Sequence, residues 1–213
     1  MLLAAVLEYH LQTHPGPALF LAWLLMAVAV LLLLIRVKDV LRNDAGLLDA
    51  AELVTLAWFV LLSSALGAAS LWNVFAWKPG GPTLDAFVTI PGQLWVMAGL
   101  PLIANIGVRV AYALRGAGAV HAVHAVHAVA GIPPMQQLLA SPLSRSVTPR
   151  MGNAQYLMLN MVILIVYAIA IGRLFSAVVV GGAVGDFPGI PEQVLALVGV
   201  SVGGFVATAA LSG

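Results

Sequence analysis

The chain contains no cysteine, and only 8% of its 213 residues are charged. The missing thiols remove disulfides, thiolate metal sites and cysteine nucleophiles together, and leave the redox compartment open. A soluble domain carries roughly 25% charged residues, which cover its surface. This chain has too few to do so, and lipid in place of water is the simplest remedy. The net charge is +1, so no strong field gathers nucleic acid or anionic substrates, and no nucleic-acid partner is expected. The first residues, MLLAAVLEYHLQ, lack a basic n-region and do not read as a cleaved signal peptide. There is no P-loop, no GxGxxG after a strand, no HExxH, GxSxG or EF-hand loop. No apolar run holds a histidine or a pair of acids. Haem ligation by two in-membrane histidines is thereby excluded, and a proton relay lacks its usual parts. The two halves show no inverted repeat, which weighs against a secondary transporter. These absences predict a non-enzymatic protein without a cofactor.

What the chain has in quantity is apolar sequence: 62% of its residues are hydrophobic. A spanning helix needs roughly 20 mostly apolar residues. Five runs meet or approach that length: Pro17–Ile35, Leu53–Phe75, Ile90–Leu114, Ala154–Val179 and Pro191–Leu211. The expected fold is therefore an all-α membrane protein of about five transmembrane helices. The third run is the weakest, because Gln93, Pro101 and Asn105 lower its hydropathy, and Pro101 should kink it. The fifth opens with Pro191 and Glu192; the proline has no N–H to leave unpaired, and the acid faces the positive helix end.

Lys and Arg in short loops set orientation. Arg36, Lys38 and Arg42 follow the first run, and Arg109, Arg115, Arg145 and Arg150 lie at or after the end of the third. The opposite side has Lys78, with Arg173 near the end of the fourth run. This bias places the N-terminus outside and the C-terminus in the cytoplasm, as an odd number of spans requires. Trp72, Trp77 and Tyr112 fall near the expected interfaces. The chain divides into a three-helix unit over 1–115, a connecting segment over 116–153 and a two-helix unit over 154–213.

Residues 1–16, with Glu8, His10 and His14, form a short amphipathic stretch suited to the outer membrane surface. Residues 37–52 carry mixed charge, including Asp39, Asp44, Asp49 and Glu52, and suit a cytoplasmic helical turn. The 116–153 segment holds the triplet repeat AVHAVHAVHAVA. It is too long for a simple loop and too apolar for a disordered linker, so it calls for cover by membrane, chain or partner. His121, His124 and His127 are neighbours in pairs on a helix. They are weak candidates for a metal site or pH sensor, against the plainer reading of an expanded triplet in a tolerant helix.

Inside the runs, Asn105, Gln155 and Asn160 are the central polar residues. Such side chains glue membrane helices together by hydrogen bonds, or alternatively line a pore. Arg173 can snorkel to the outer interface with Asp186 as partner, or attract anions there. Glu192 begins a helix, or contributes to a cation-selecting ring in an oligomer. Two stripes of small residues repeat at every fourth position: Ala168, Gly172 and Ser176 in the fourth run, and Gly199, Gly203 and Ala207 in the fifth. Small residues at that spacing let backbones approach closely. These two helices are expected to pack tightly, with each other or with neighbouring subunits.

The stretch from Pro191 to Gly204, with Pro191-Glu192, then Leu195-Ala196-Leu197, then Gly199-Val200-Ser201, resembles the last helix of a broad group of uncharacterised bacterial membrane proteins. That group also carries a Ser-Leu-Ser-Arg-x-Gln segment before the preceding helix, to which Pro142-Leu143-Ser144-Arg145 and Gln155 are similar. Here residues 146–154 separate the arginine from the glutamine, where the group has a much shorter gap. The resemblance covers the C-terminal third and implies a bacterial or phage origin and a two-helix C-terminal unit, with no activity attached; the bacterial inner membrane is the expected location.

Three functional readings follow. The first is a non-enzymatic membrane subunit whose partners are the lipid bilayer and other copies of itself or other membrane subunits. The second is an oligomeric pore or ion channel. The third is a lipid-, quinone- or pigment-binding subunit of a redox complex, since apolar grooves leave little trace in sequence.

Overall fold

The computed structural model describes residues 15–35, 49–76, 88–114, 151–179 and 182–211, with the side chains of 33–35, 105, 108, 109, 111–114 and 208–211 outside the description. These residues form five α-helices and no strand: α1 (Pro15–Ile35), α2 (Ala50–Ala76), α3 (Gly92–Leu114), α4 (Met151–Ser176) and α5 (Glu192–Leu211). All five apolar runs are thus helical, with ends shifted by a few residues. The N-terminal stretch over 1–14 and the His121, His124 and His127 repeat lie outside the described residues.

Three helices are long and apolar enough to cross a membrane: Pro15–Leu32 of α1, all of α2 and all of α4. The apolar parts of α3 and α5 are shorter, Gly92–Ala104 and Glu192–Ala207. The helix α3 continues through Pro101, whose side chain is fully buried.

Each helix buries a narrow seam and leaves apolar residues outside it. In α2 the buried positions include Ala51, Val54, Trp58, Leu61, Ala65 and Ala68, which recur at three and four residues. In α3 they are Leu94, Met97, Pro101 and Ala104, with the same alternation. Around these seams the exposed surface is also apolar: Leu25 of α1, Phe75 of α2, Ile103 of α3, Val166 of α4 and Val200 of α5 are all more than half exposed. A soluble helix places polar residues there. A helix that is apolar all round is suited to lipid.

The start of α2 is set by a cap from Asp49, one of the acids of the mixed-charge 37–52 segment. The Asp49 carboxylate accepts from the Ala51 N–H at 2.7 Å and the Glu52 N–H at 3.4 Å, and the Asp49 carbonyl accepts from Leu53 at 3.0 Å. An N-cap side chain satisfies donors that the first turn leaves without helical partners. At the start of α5, the Pro191 carbonyl accepts from Val194 at 3.0 Å and Leu195 at 3.2 Å, and Glu192 occupies the first turn, as its sequence position predicts.

The chain forms two compact units. One comprises Met1–Arg36, Phe59–Gly92 and Ile165–Gly189; the other comprises Val37–Trp58, Gln93–Leu164 and Ile190–Gly213.

In the first unit α1 packs on α4. A Cβ at Gly16 would collide with the Ser176 carbonyl, and one at Gly172 would lie 3.0 Å from the Phe20 ring. One turn forward along α1 thus meets one turn back along α4, so the two helices are antiparallel. Trp23 meets Phe20 and Phe175 edge-on, both with ring centroids 5.7 Å apart. On α2, the Ser64 hydroxyl accepts from Trp23 Nε1 at 3.0 Å and donates to the Leu61 carbonyl at 3.1 Å. A buried indole N–H needs such an acceptor where no water is present. In the second unit, Gly107 of α3 faces Val206 of α5, whose nearest methyl would stand 3.1 Å from an added Cβ.

Candidate functional site

Two groups of polar side chains stand out, one in each unit. In the first unit the group is a latch. Asn73, 5% exposed near the end of α2, donates through Nδ2 to the Val184 carbonyl at 3.1 Å and accepts at Oδ1 from the Val184 N–H at 2.7 Å. One side-chain amide thereby does for Val184 what a neighbouring strand would do. Trp72 Nε1 donates to the Gly182 carbonyl at 3.0 Å, and the Tyr167 hydroxyl donates to the Pro188 carbonyl at 2.9 Å. The Phe187 N–H reaches the Thr89 carbonyl at 3.3 Å. Residues 182–188 have no secondary structure of their own, so these bonds are what satisfy their backbone. The latch explains order in a connector; it offers no reacting group.

The group in the second unit has a different character. Asn153, Tyr156 and Asn160 follow one another at three and four residues along α4, and all three are at most 1% exposed. On α5, Ser201 is 3% and Phe205 1% exposed. The Tyr156 and Phe205 rings stack with centroids 4.7 Å apart and an interplanar angle of 27°. The stack joins the first turns of α4 to the second half of the next helix, the pairing of an antiparallel hairpin. One turn on from Tyr156 is Asn160, and one turn back from Phe205 is Ser201. The register therefore sets Asn160 and Ser201 at one level, just beyond the stacked rings.

Asn160 donates through Nδ2 to the Tyr156 carbonyl of its own helix at 2.9 Å. Its Oδ1, the Tyr156 hydroxyl and the Ser201 hydroxyl are buried without a hydrogen-bond partner. Leaving such a group unpaired in a buried site costs about 1–3 kcal/mol.

The sequence-derived candidates are placed as follows. Asn160 belongs to this cluster, yet its amide bonds its own helix instead of gluing two helices. Gln155 is exposed, so it does not join the buried Asn160. Asn105 lies in α3 with its side chain outside the described residues. Arg173 is exposed in the last turn of α4. Asp186 is exposed as well, and no ion pair joins the two among the described residues; the expected partnership does not form. Glu192 is exposed. In the α4 stripe, Gly172 is buried against Phe20 and Trp23 of α1, Ala168 is half-buried and Ser176 exposed. The α4 stripe thus serves α1. The α5 stripe is open: Gly199 and Gly203 have nothing within 4 Å of an added Cβ, and Gly203 and Ala207 are exposed.

Asn153, Tyr156, Ser201, Asn73 and Ser64 were missed from the sequence. Asn153, Tyr156 and Asn160 share a helix face, and a count of polar residues per face would have found them. Asn73 carries no such signal, because its partner is more than a hundred residues away. Among the described residues, no three His, Asp or Glu side chains come together as a metal site. No family model, curated protein or solved structure matches the chain.

Proposed function

We propose that this chain is a non-enzymatic subunit of a membrane assembly, a homo-oligomer or a larger complex, crossing the bacterial inner membrane five times with its N-terminus outside and its C-terminus in the cytoplasm. The open face of α5 carries this reading. Ala196, Gly203 and Ala207 are all exposed and recur at seven and four residues, so they fall on one face of the helix. Lipid chains pack well on Leu, Ile and Val, whereas small residues leave shallow ground that another helix fills better. Association of membrane helices depends on such close packing. In the α4 stripe Gly172 is already covered by α1 within the chain, which leaves the α5 stripe for a neighbour.

Extraction in mild detergent followed by mass measurement tests this. The expected species is a multiple of the chain mass or a complex with other subunits, and Gly203→Leu or Ala207→Leu shifts it toward the monomer. A wild-type monomer indifferent to both substitutions would sink the proposal. A pore is the second reading, favoured by the buried polar face of α4 with Asn153, Tyr156 and Asn160. Under that reading purified protein in planar bilayers conducts ions, and Asn160→Leu abolishes the current.

A further inference from the structure

The four helices after α1 form a repeat. α2 spans Ala50–Ala76 and α4 Met151–Ser176; α3 begins at Gly92 and α5 at Glu192. One interval, constant to within a residue, separates the two helix–connector–helix pairs. The sequence keeps it where the second helix of each pair starts: Ile90-Pro91-Gly92-Gln93 corresponds to Ile190-Pro191-Glu192-Gln193, and Gly99 to Gly199. Residues 88–91 and 183–191 lead into these helices without secondary structure of their own. Within the first unit the two leads are joined, the Phe187 N–H donating to the Thr89 carbonyl at 3.3 Å. Within the second, Gly107 of α3 lies against Val206 of α5. Both contacts nearly keep the repeat interval, so α3 and α5 run side by side in one direction.

The α3–α5 contact is one-sided. In the repeat, Gly107 corresponds to Ala207, and Val206 to Ile106. A two-fold contact would use both pairs, Ala207 against Ile106 as well as Gly107 against Val206. Instead Ala207 is exposed, and Ile106 is 52% exposed. The contact is therefore head-to-tail. The small-residue face of the first repeat is filled by the second, while the matching face of the second repeat, with Gly203 and Ala207, is open. The matching ridge of the first repeat is unused: Ile103, Ile106 and Val110 are all more than half exposed. The chain thus carries both halves of an interface that it already makes once internally. One chain cannot close it again, because α3 already turns its Gly107 side to α5.

We propose that a second copy of this chain fills the open face. The Ile103–Ile106–Val110 ridge of one copy seats on Gly203 and Ala207 of the next, repeating between chains the packing of Val206 on Gly107. Close packing of this kind is what holds helices together in lipid, and a head-to-tail contact propagates until a ring closes. The proposal rests on the assembly reading above and names its partner and its contact.

The test uses the full chain in membranes, where the absence of cysteine lets introduced thiols report alone. A Cβ added at Gly107 would stand 3.9 Å from the Val206 Cβ, against roughly 3.8 Å across a disulfide. Gly107→Cys with Val206→Cys in one chain should therefore form an intramolecular bond under mild oxidation. By the repeat, two differently tagged chains, one with Ile106→Cys and the other with Ala207→Cys, should become linked when expressed together. Neither variant expressed alone should link to itself. A tagged pair that stays unlinked overturns the proposal. So does an Ala207→Cys chain that links to itself, which marks a symmetric α5–α5 contact. Failure of the internal pair overturns it as well, because the packing to be repeated would be absent. Mass measurement keeps the assembly reading separate: a multimer without the Ile106–Ala207 link refutes this contact alone, and a monomer refutes both.

Discussion

A single side chain can settle a stretch of backbone that has no secondary structure, and Asn73 does so for Val184. Replacing it with leucine leaves a buried N–H and a buried carbonyl unmatched together. Asn73→Leu should destabilise the protein by about 1–3 kcal/mol, seen as a lower unfolding midpoint in detergent; an unchanged midpoint would show that the connector finds other partners. Asp49 acts on the same scale. Its carboxylate caps α2 through Ala51 and Glu52, so Asp49→Ala should cost about 1 kcal/mol, while Asp49→Ser, which can also cap, should recover most of it. The Asp49-x-x-Glu52 spacing fits a helix start, although in sequence both acids read as charges of a cytoplasmic turn and the second apolar run begins only at Leu53. Asn73 was not, since an asparagine near a helix end looks the same whether it meets solvent or a carbonyl from another segment.

Between helices, the packing turns on where a backbone can approach. Gly16 stands against a backbone carbonyl of Ser176, which cannot swing aside, whereas Gly67 stands against the sulfur of Met26, a flexible side chain. The two glycines should therefore respond oppositely to the same change. Gly16→Ala should lower the unfolding midpoint by several degrees. Gly67→Ala should be neutral or raise it, because alanine is favoured over glycine in a helix by about 1 kcal/mol and methionine can repack. Equal losses at both positions would contradict the close approach of α1 to α4. The glycine-containing stripe of α4 was legible in the sequence, but its partner was not. Spacing shows that a face is flat; it carries no information about which helix lies on it.

For the molecule as a whole, the open question is its arrangement in the bilayer. The absence of native cysteine makes a direct measurement possible, since any introduced thiol is the only one. Asp186→Cys should react with a membrane-impermeant maleimide on intact cells, and Arg145→Cys only after permeabilisation. The reverse pattern would overturn the proposed orientation, and labelling of both from outside would overturn the five-span count.

Composition alone established the all-helical character and the candidate spans, because a chain with so few charges and such long apolar runs must satisfy its backbone internally, and a helix does this with local hydrogen bonds. The start of α5 was legible for the same reason: Pro191 and Glu192 act over a few residues. The tertiary structure decided everything that depends on facing. It separated Gln155 from Asn160, gave Gly172 to α1, left Gly203 open, and brought Tyr156 to Phe205 and Asn73 to Val184. These are contacts between residues far apart in sequence, set by which seam meets which, and no periodicity within one helix encodes its neighbour.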